Sequence, residues 1–330
     1  MLEILDPQGA LDPSLLEIPG SFAWWYLDLV EPNGDGLVLI WAFGLPFLRD
    51  EGLPRERPSL ALSIYRGGQP DFVLLSELGS SRLGRERWEM GDSLFEEHVE
   101  AGQRRLHIRL RVPTPRGTLE GEIETTGPIL RGSGEGGVHG WSPLMGLGRG
   151  QVSLRCGTWR TELQGTCYRD RNECARPLDQ LGITRWTWGR AGLGDRLFCW
   201  YLIEGEQPSA RVFYEEDGRL EALPVEVRPQ RWRRDRYGLR WAPELQLEGQ
   251  GFRLHVEQER PVDRSPFYLR HSVRASLEGA SGRGWGEQVV PGSIGSRLLR
   301  PLVEMRIQRL QNNSIFLPLF AGPRPTLRWL

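Results

Sequence analysis

The chain has no lysine: all 42 of its basic residues are arginine. That rules out Schiff-base chemistry on the protein and the lysine of a P-loop. An excess of charge of either sign is lacking too. The arginines nearly cancel 43 acids, leaving a formal net charge of −1, too weak a field to argue for nucleic acid as the main partner. Cysteine is scarce. Cys156, Cys167, Cys174 and Cys199 form no Cys-x-x-Cys pair and have no histidine pattern beside them, which argues against zinc. No run approaches the ~20 apolar residues needed to span a bilayer. Met1–Leu16 carries Asp6 and Asp12 without a basic n-region, so it does not read as a signal peptide. These absences together imply free thiols in a reducing cytoplasm, with peripheral contact at the inner membrane as the remaining membrane option.

What the chain does have is tryptophan, thirteen in all, each needing burial and a partner for its indole N–H. Short runs of strand type recur between Gly, Pro, Asn and Asp: Leu37–Phe43, Ser59–Tyr65, Leu106–Val112, Thr118–Thr125, Gln151–Arg155, Leu197–Glu204, Ala210–Glu215 and Phe252–Glu257. Without amphipathic helices between them, such runs predict an all-β chain of barrels or sandwiches. One helix is expected, over Ser293–Leu310, with Ile294, Leu298, Leu302 and Met305 on one side and a kink at Pro301. Two segments echo each other. Trp24-Trp25-Tyr26-Leu27-Asp28 and Trp186-Thr187-Trp188-Gly189-Arg190 each precede a Gly-rich turn and an apolar strand. The offset, about half the chain, suggests two similar β domains in tandem, 1–178 and 179–330, each opened by a Trp-rich strand.

The stretch Val138–Arg190 is the richest in chemistry. On an extended strand, residues two apart share a face, so His139 and Trp141 lie together, as do Tyr168, Asp170 and Asn172. If both faces meet one cavity, a carboxyl, an imidazole, a phenol and an indole converge. Burial would keep the aspartic acid protonated and able to act as a general acid. The indole could stabilise a cation, and the imidazole and phenol could hold a water. Arg169 and Arg171 should point away from that cavity. On pattern alone, an aspartate between two arginines more often means a surface ion pair, and His-x-Trp more often means a core tryptophan. Among the other candidates, Glu96-Glu97-His98 reads as a solvated face, Gly132–Gly137 as a plain loop and Arg231–Arg236 as a solvated edge.

These residues resemble the carotenoid 1,2-hydratase (hydroxyneurosporene synthase) family. The matching blocks, in order, are Ala23-Trp24-Trp25-Tyr26-x-Asp28, His139-x-Trp141-x-Pro143, Tyr168-x-Asp170-x-Asn172, Pro177-Leu178, Trp186-x-Trp188-x-Arg190, Ser265-Pro266-Phe267-Tyr268 and Glu287. The resemblance implies two lipocalin-like barrels with a short C-terminal helix. It also implies cofactor-free, metal-free addition of water to the terminal 1,2 double bond of an acyclic carotenoid. The family's candidate catalytic positions fall on Asp170, His139, Tyr168 and Trp141. This chain departs from the family pattern at Cys167 and Cys174, where glycines are usual, at Arg169 and Arg171, and after Gly44, where Ser-Pro-Tyr-Tyr is replaced.

The expected reaction is therefore proton donation by Asp170 to C2 of an isopropylidene end. The tertiary cation at C1 would be held by Trp141 with Trp24, Trp25 or Trp188, and water oriented by His139 and Tyr168 would add there. Trp24, Trp25, Tyr26, Asn172, Trp186 and Trp188 are the expected substrate-binding residues. Partners are then an acyclic carotenoid or other long apolar polyene, water and a membrane surface met through the apolar tail Ile315–Phe320. Two alternatives share the fold: a cyclase of a polyene or prenylated substrate, and a lipid carrier without chemistry.

Overall fold

The structure is a computed structural model, and it describes residues 2–4, 11–47, 52–84, 86–132, 139–216, 218–249, 251–309 and 322–323. Every expected strand falls inside an observed one, from Gly36–Phe43 to Phe252–Ser265. The chain builds two large, mainly antiparallel sheets plus a two-stranded ribbon.

The first sheet runs Gln69–Glu77, Pro58–Arg66, Gly36–Phe43, Phe22–Val30, Trp159–Cys174, His139–Cys156, Gly117–Pro128, Gln103–Thr114, Ser93–Glu100, Arg87–Met90, Ser81–Leu83. The second runs Arg219–Pro224, Ser209–Glu216, Arg196–Gly205, Ile183–Leu193, Ala280–Val289, Tyr268–Leu277, Phe252–Ser265, Glu244–Gly249, Glu226–Gln230. Both orders follow one plan: a Trp-rich opening strand begins a meander on one side and pairs with the sheet's last long strand on the other. The echo heard in the sequence is thus repeated in the pairing. The sheets separate between Cys174 and Ile183, where a 3-10 turn spans Leu178–Gln180. Farther along, Gln308–Arg309 and Gly322–Pro323 return to the edge of the first sheet.

Each sheet curls around its own core. In the first, Trp25, Leu27, Trp41, Leu62, Phe72, Trp88, Phe95, Ile108 and Val152 pack together; in the second, Trp200, Val212, Leu247, Val256 and Val273 do. At Gly189 a side chain would run into the Trp200 indole, which is why the alternating aromatic strand is interrupted there. A third cluster joins residues of both halves, among them Trp24, Tyr26, Trp141, Tyr168, Trp186, Trp188, Tyr201 and Trp285. The Phe22–Val30 strand is consequently buried at every position. It faces a barrel core on one side and the other half on its second side.

Two expectations are corrected here. The terminal helix is only Arg300–Glu304, after a 3-10 turn at Pro291–Ser293. Pro301 lies in its first turn, where a missing N–H costs nothing, so it starts the helix instead of bending it. Of the expected apolar side, Ile294 is buried but Leu298 and Leu302 are exposed. Glu97, read as solvated, points into the first barrel, where it pairs with Arg104 and Arg169.

Candidate active site

The opening strand alternates. Trp24, Tyr26 and Asp28 face the other half of the molecule, while Trp25 turns into the first barrel and stacks on Trp41 at 6.3 Å. Trp25 is therefore a core residue and not a substrate contact, because neighbours on a strand point to opposite faces. The same alternation sends Tyr168, Asp170 and Asn172 to the junction. Arg169 goes into the barrel, with its guanidinium 5.4 Å from the Trp41 ring centre and an ion pair to Glu97 at 2.5 Å. Arg171 pairs with Glu173 at 3.0 Å. Neither arginine neutralises Asp170 by direct pairing, as expected of side chains on the opposite face.

Register fixes the rest. Asp170 lies opposite Tyr26 and Asn172 opposite Trp24, and on the other side Asn172 lies opposite Trp141. In the second sheet, Trp188 lies opposite Glu287 and Trp186 opposite Val289. The two aromatic faces then meet: Trp24 and Trp186 are 6.0 Å apart, Tyr26 and Trp188 5.0 Å, Tyr168 and Trp188 5.9 Å. A buried ion pair crosses the junction beside them. Arg190 donates from Nε to Asp28 Oδ2 at 3.0 Å and from Nη2 to Oδ1, and Tyr26 OH donates to the same carboxylate at 2.9 Å.

Asp170 is 2% exposed and surrounded by neutral donors. Its Oδ2 accepts from Trp141 Nε1 at 2.9 Å and Tyr168 OH at 3.0 Å, and its Oδ1 accepts from Asn172 Nδ2 at 2.9 Å. Burial pushes its pKa up to about 8, against the pull of the Trp141 and Tyr168 hydrogen bonds, with Glu287 and Asp28 adding to the rise. The carboxyl is thus mostly protonated at neutral pH. Two donors fill the acceptor sites of Oδ2, so the proton belongs on Oδ1, which has one site left.

His139 does not reach the cavity as expected. Its Nε2 lies 2.9 Å from Asn172 Oδ1, and its ring packs 4.8 Å from Trp186. Burial lowers its pKa to about 4, so it is neutral. With Asn172 Oδ1 as acceptor, His139 donates and fixes the amide orientation that delivers Nδ2 to Asp170. Trp141, fully buried against Tyr201 and Phe213, likewise stands behind Asp170 as a donor and not at the wall as a cation partner. Tyr168 does the same, its phenol being committed to Asp170.

The cavity itself is walled by Trp24, Tyr26, Ile40, Phe47, Asp170, Asn172, Trp186, Trp188, Glu287 and Val289, and holds about 20 Å³ of space open to the centre of a water molecule. That is room for one water, with Asp170, Asn172 and Glu287 as polar partners. Ile40, Phe47, Glu287 and Val289 were not among the expected site residues. For Glu287 a signal existed in its place among the blocks that resemble the family. A metal-like grouping, His107, Glu122 and Glu124, is found elsewhere, on the outer face of the first sheet. All four cysteines are free and buried.

The sequence pattern of the family described as carotenoid hydratase CrtC matches residues 86–315. This chain belongs to that family. As a CrtC family member it is 28% identical over 79% of its length to an acyclic carotenoid 1,2-hydratase of Rubrivivax gelatinosus, of which it spans 66%. It is 24% identical to another so named from Thiocapsa roseopersicina, covering 88% of this chain and 74% of that one. A hydroxyneurosporene dehydrogenase of Chlorobaculum tepidum is 23% identical over 92% of each chain. In fold, the CrtC chain is similar to a crystal structure described as AttH from Nitrosomonas europaea, at 15% identity and a TM-score of 0.59 over 83% of this chain and 93% of that one. It is also similar to CghA solved with Sch210972, at 12% identity and a TM-score of 0.55 over 82% and 89%. The architecture is thus all-β and lipocalin-like, with one half-barrel and one nearly closed barrel.

Proposed function

We propose that this protein is a carotenoid 1,2-hydratase, a hydro-lyase adding water across the terminal 1,2 double bond of an acyclic carotenoid to give a tertiary alcohol. The observation that carries this reading is Asp170: an acid kept uncharged by burial, held by three donors, at the wall of an aromatic cavity. Its proton goes to C2. The positive charge that develops at C1 is stabilised by the electron-rich faces of Trp24, Tyr26, Trp186 and Trp188. Water adds at C1 because the tertiary cation forms there. The site lies between the two sheets, the first supplying Trp24, Tyr26, Ile40, Asp170 and Asn172 and the second Trp186, Trp188, Glu287 and Val289.

Hydration fits better than cyclisation because the cavity is partly polar: Asp170, Asn172 and Glu287 border a space with room for one water. The cavity is small against an isopropylidene group, so the aromatic wall must shift to admit it. Phe47, half-buried and stacked on Phe267 at 5.6 Å, is one of the less buried pieces of that wall. The substrate dissolves in membrane, so the protein meets a bilayer surface at some stage. No helix among the described residues is long and apolar enough to cross one. The apolar tail Ile315–Phe320 lies outside the described residues; the exposed Leu298 and Leu302, flanked by Arg297 and Arg300, offer a contact of the same kind. The test is co-expression in cells making lycopene or neurosporene, followed by mass analysis of the pigments. Products heavier by the mass of one water support the reading; isomers of unchanged mass indicate a cyclase, and bound but unaltered pigment a carrier.

A further inference from the structure

We propose that Glu287 is the general base of the reaction, taking the proton from the water that Asp170 makes necessary. The inference rests on the hydratase reading above. It starts from the repeat: each sheet's last long strand pairs with its Trp-rich opening strand, and each carries one carboxyl at the same place. Asp170 sits opposite Tyr26, the middle aromatic of Trp24-x-Tyr26-x-Asp28, and Glu287 opposite Trp188, the middle aromatic of Trp186-x-Trp188-x-Arg190. When the two halves close on each other, both carboxyls border the same cavity.

Their surroundings differ in the way acid and base partners should. Asp170 meets only neutral donors. Glu287 is ion-paired: Arg270 approaches Oε1 from Nε and from Nη2, at 2.9 Å each. Arg270 is itself held by the first half, donating from Nη1 to Tyr65 OH at 2.8 Å. Both arginine contacts fall on Oε1, which leaves Oε2 for a water. The other candidate bases are committed. His139 lies behind Asn172, Asp28 is locked by Arg190 and Tyr26, and the Tyr168 phenol is bound to Asp170.

The steps balance. The Asp170 O–H bond breaks as the alkene π pair forms the C2–H bond, leaving the cation at C1. The water oxygen bonds to C1 while one of its protons passes to the Glu287 carboxylate. Asp170 ends ionised and Glu287 protonated, and a proton returning from Glu287 to Asp170 through a cavity water restores both. The sum is alkene plus water giving alcohol. An anion facing C1 also stabilises the cation.

The test uses the full chain, an acyclic carotenoid in detergent and D2O as solvent. It follows two readouts: alcohol formed, and deuterium appearing at C2 of recovered substrate. Wild-type protein should give alcohol; if it gives none, the hydratase reading fails and this inference with it. Glu287→Gln keeps an oxygen for Arg270 and should lose alcohol formation about 100-fold or more, while still exchanging deuterium through Asp170. Asp170→Asn should lose both. Alcohol formed by Glu287→Gln at a rate near wild type overturns the base role alone, as does loss of exchange together with hydration in folded protein. If that variant does not fold, Glu287→Asp, which keeps a carboxylate but withdraws it by one methylene, is compared with wild type; its ratio of alcohol to exchange should fall, and an unchanged ratio overturns the proposal.

Discussion

Replacing Asp170 by Asn should abolish hydration and, at neutral pH, make the protein more stable. A carboxyl that titrates at about 8 instead of 3.8 costs on the order of 5 kcal/mol to hold as a buried anion. Because the folded-state value lies above the unfolded one, the native state holds the extra proton. The penalty is absent below about pH 4, grows through the window and is complete above about pH 8. Asparagine escapes it. The amide oxygen can still accept from Trp141 and Tyr168, but its NH2 then faces Asn172 Nδ2, and two donors meet. That mismatch costs about 1–3 kcal/mol, since Asn172 cannot turn without losing His139. The two stability curves should therefore cross between about pH 4.5 and 6, the variant being weaker below and stronger above by a few kcal/mol at pH 8. Thermal melts of both proteins from pH 4 to pH 8 measure the crossing, and pigment mass analysis measures activity. Wild-type hydration should decline above about pH 8 as the acid ionises. A stability difference independent of pH, or an active Asp170→Asn protein, refutes the claim that Asp170 is a buried, protonated acid.

Tyr168→Phe removes one of the hydrogen bonds that lower the Asp170 pKa, so the alkaline limb of the activity profile should move to higher pH; an unmoved limb means the phenol is not coupled to the acid. Asp28→Asn leaves the buried Arg190 guanidinium without its counter-charge and should cost about 3–5 kcal/mol in urea unfolding. A loss below 1 kcal/mol would mean that this pair does little to hold the halves together. Trp24→Phe should change kcat/KM with little effect on the unfolding midpoint, and Trp25→Phe the reverse; equal effects on activity would contradict their placement on opposite faces.

The strand rule of alternating faces was enough to group His139 with Trp141 and Tyr168 with Asp170 and Asn172, and it sent Arg169 away from the acid. The same rule, applied to Trp24-Trp25-Tyr26, would have placed Trp25 in the barrel. A continuous aromatic run hides its own alternation when both faces are buried. Which member of the group touches the cavity was not legible, because the depth of His139, Trp141 and Tyr168 is set by the second sheet packing over them. Glu97 looked solvated within a charged run, yet its partner is Arg169, and only the closing of the sheet brings the two together. Leu298 and Leu302 had helical spacing, but no surface was there to receive them. Glu287 stood only as an isolated match to the family pattern; its place beside the acid follows from pairing with Trp188 and from the packing of the second sheet, which a single sequence does not display.

The junction also explains why the chemistry is not inside either barrel. The interiors of both sheets are filled by large side chains, whereas their facing outer surfaces enclose the cavity. At equivalent positions of the repeat stand Asp28 and Arg190, which would repel as a like pair and instead form the buried link between halves. Around them, among the described residues, His139 Nδ1, Trp186 Nε1, Trp188 Nε1 and Tyr268 OH are buried without a protein partner. Each such atom costs about 1–3 kcal/mol if nothing else satisfies it. Lying at the seam beside a protonated acid and an ion-paired carboxylate, these four are placed where water or the polar groups of a bound molecule can meet them.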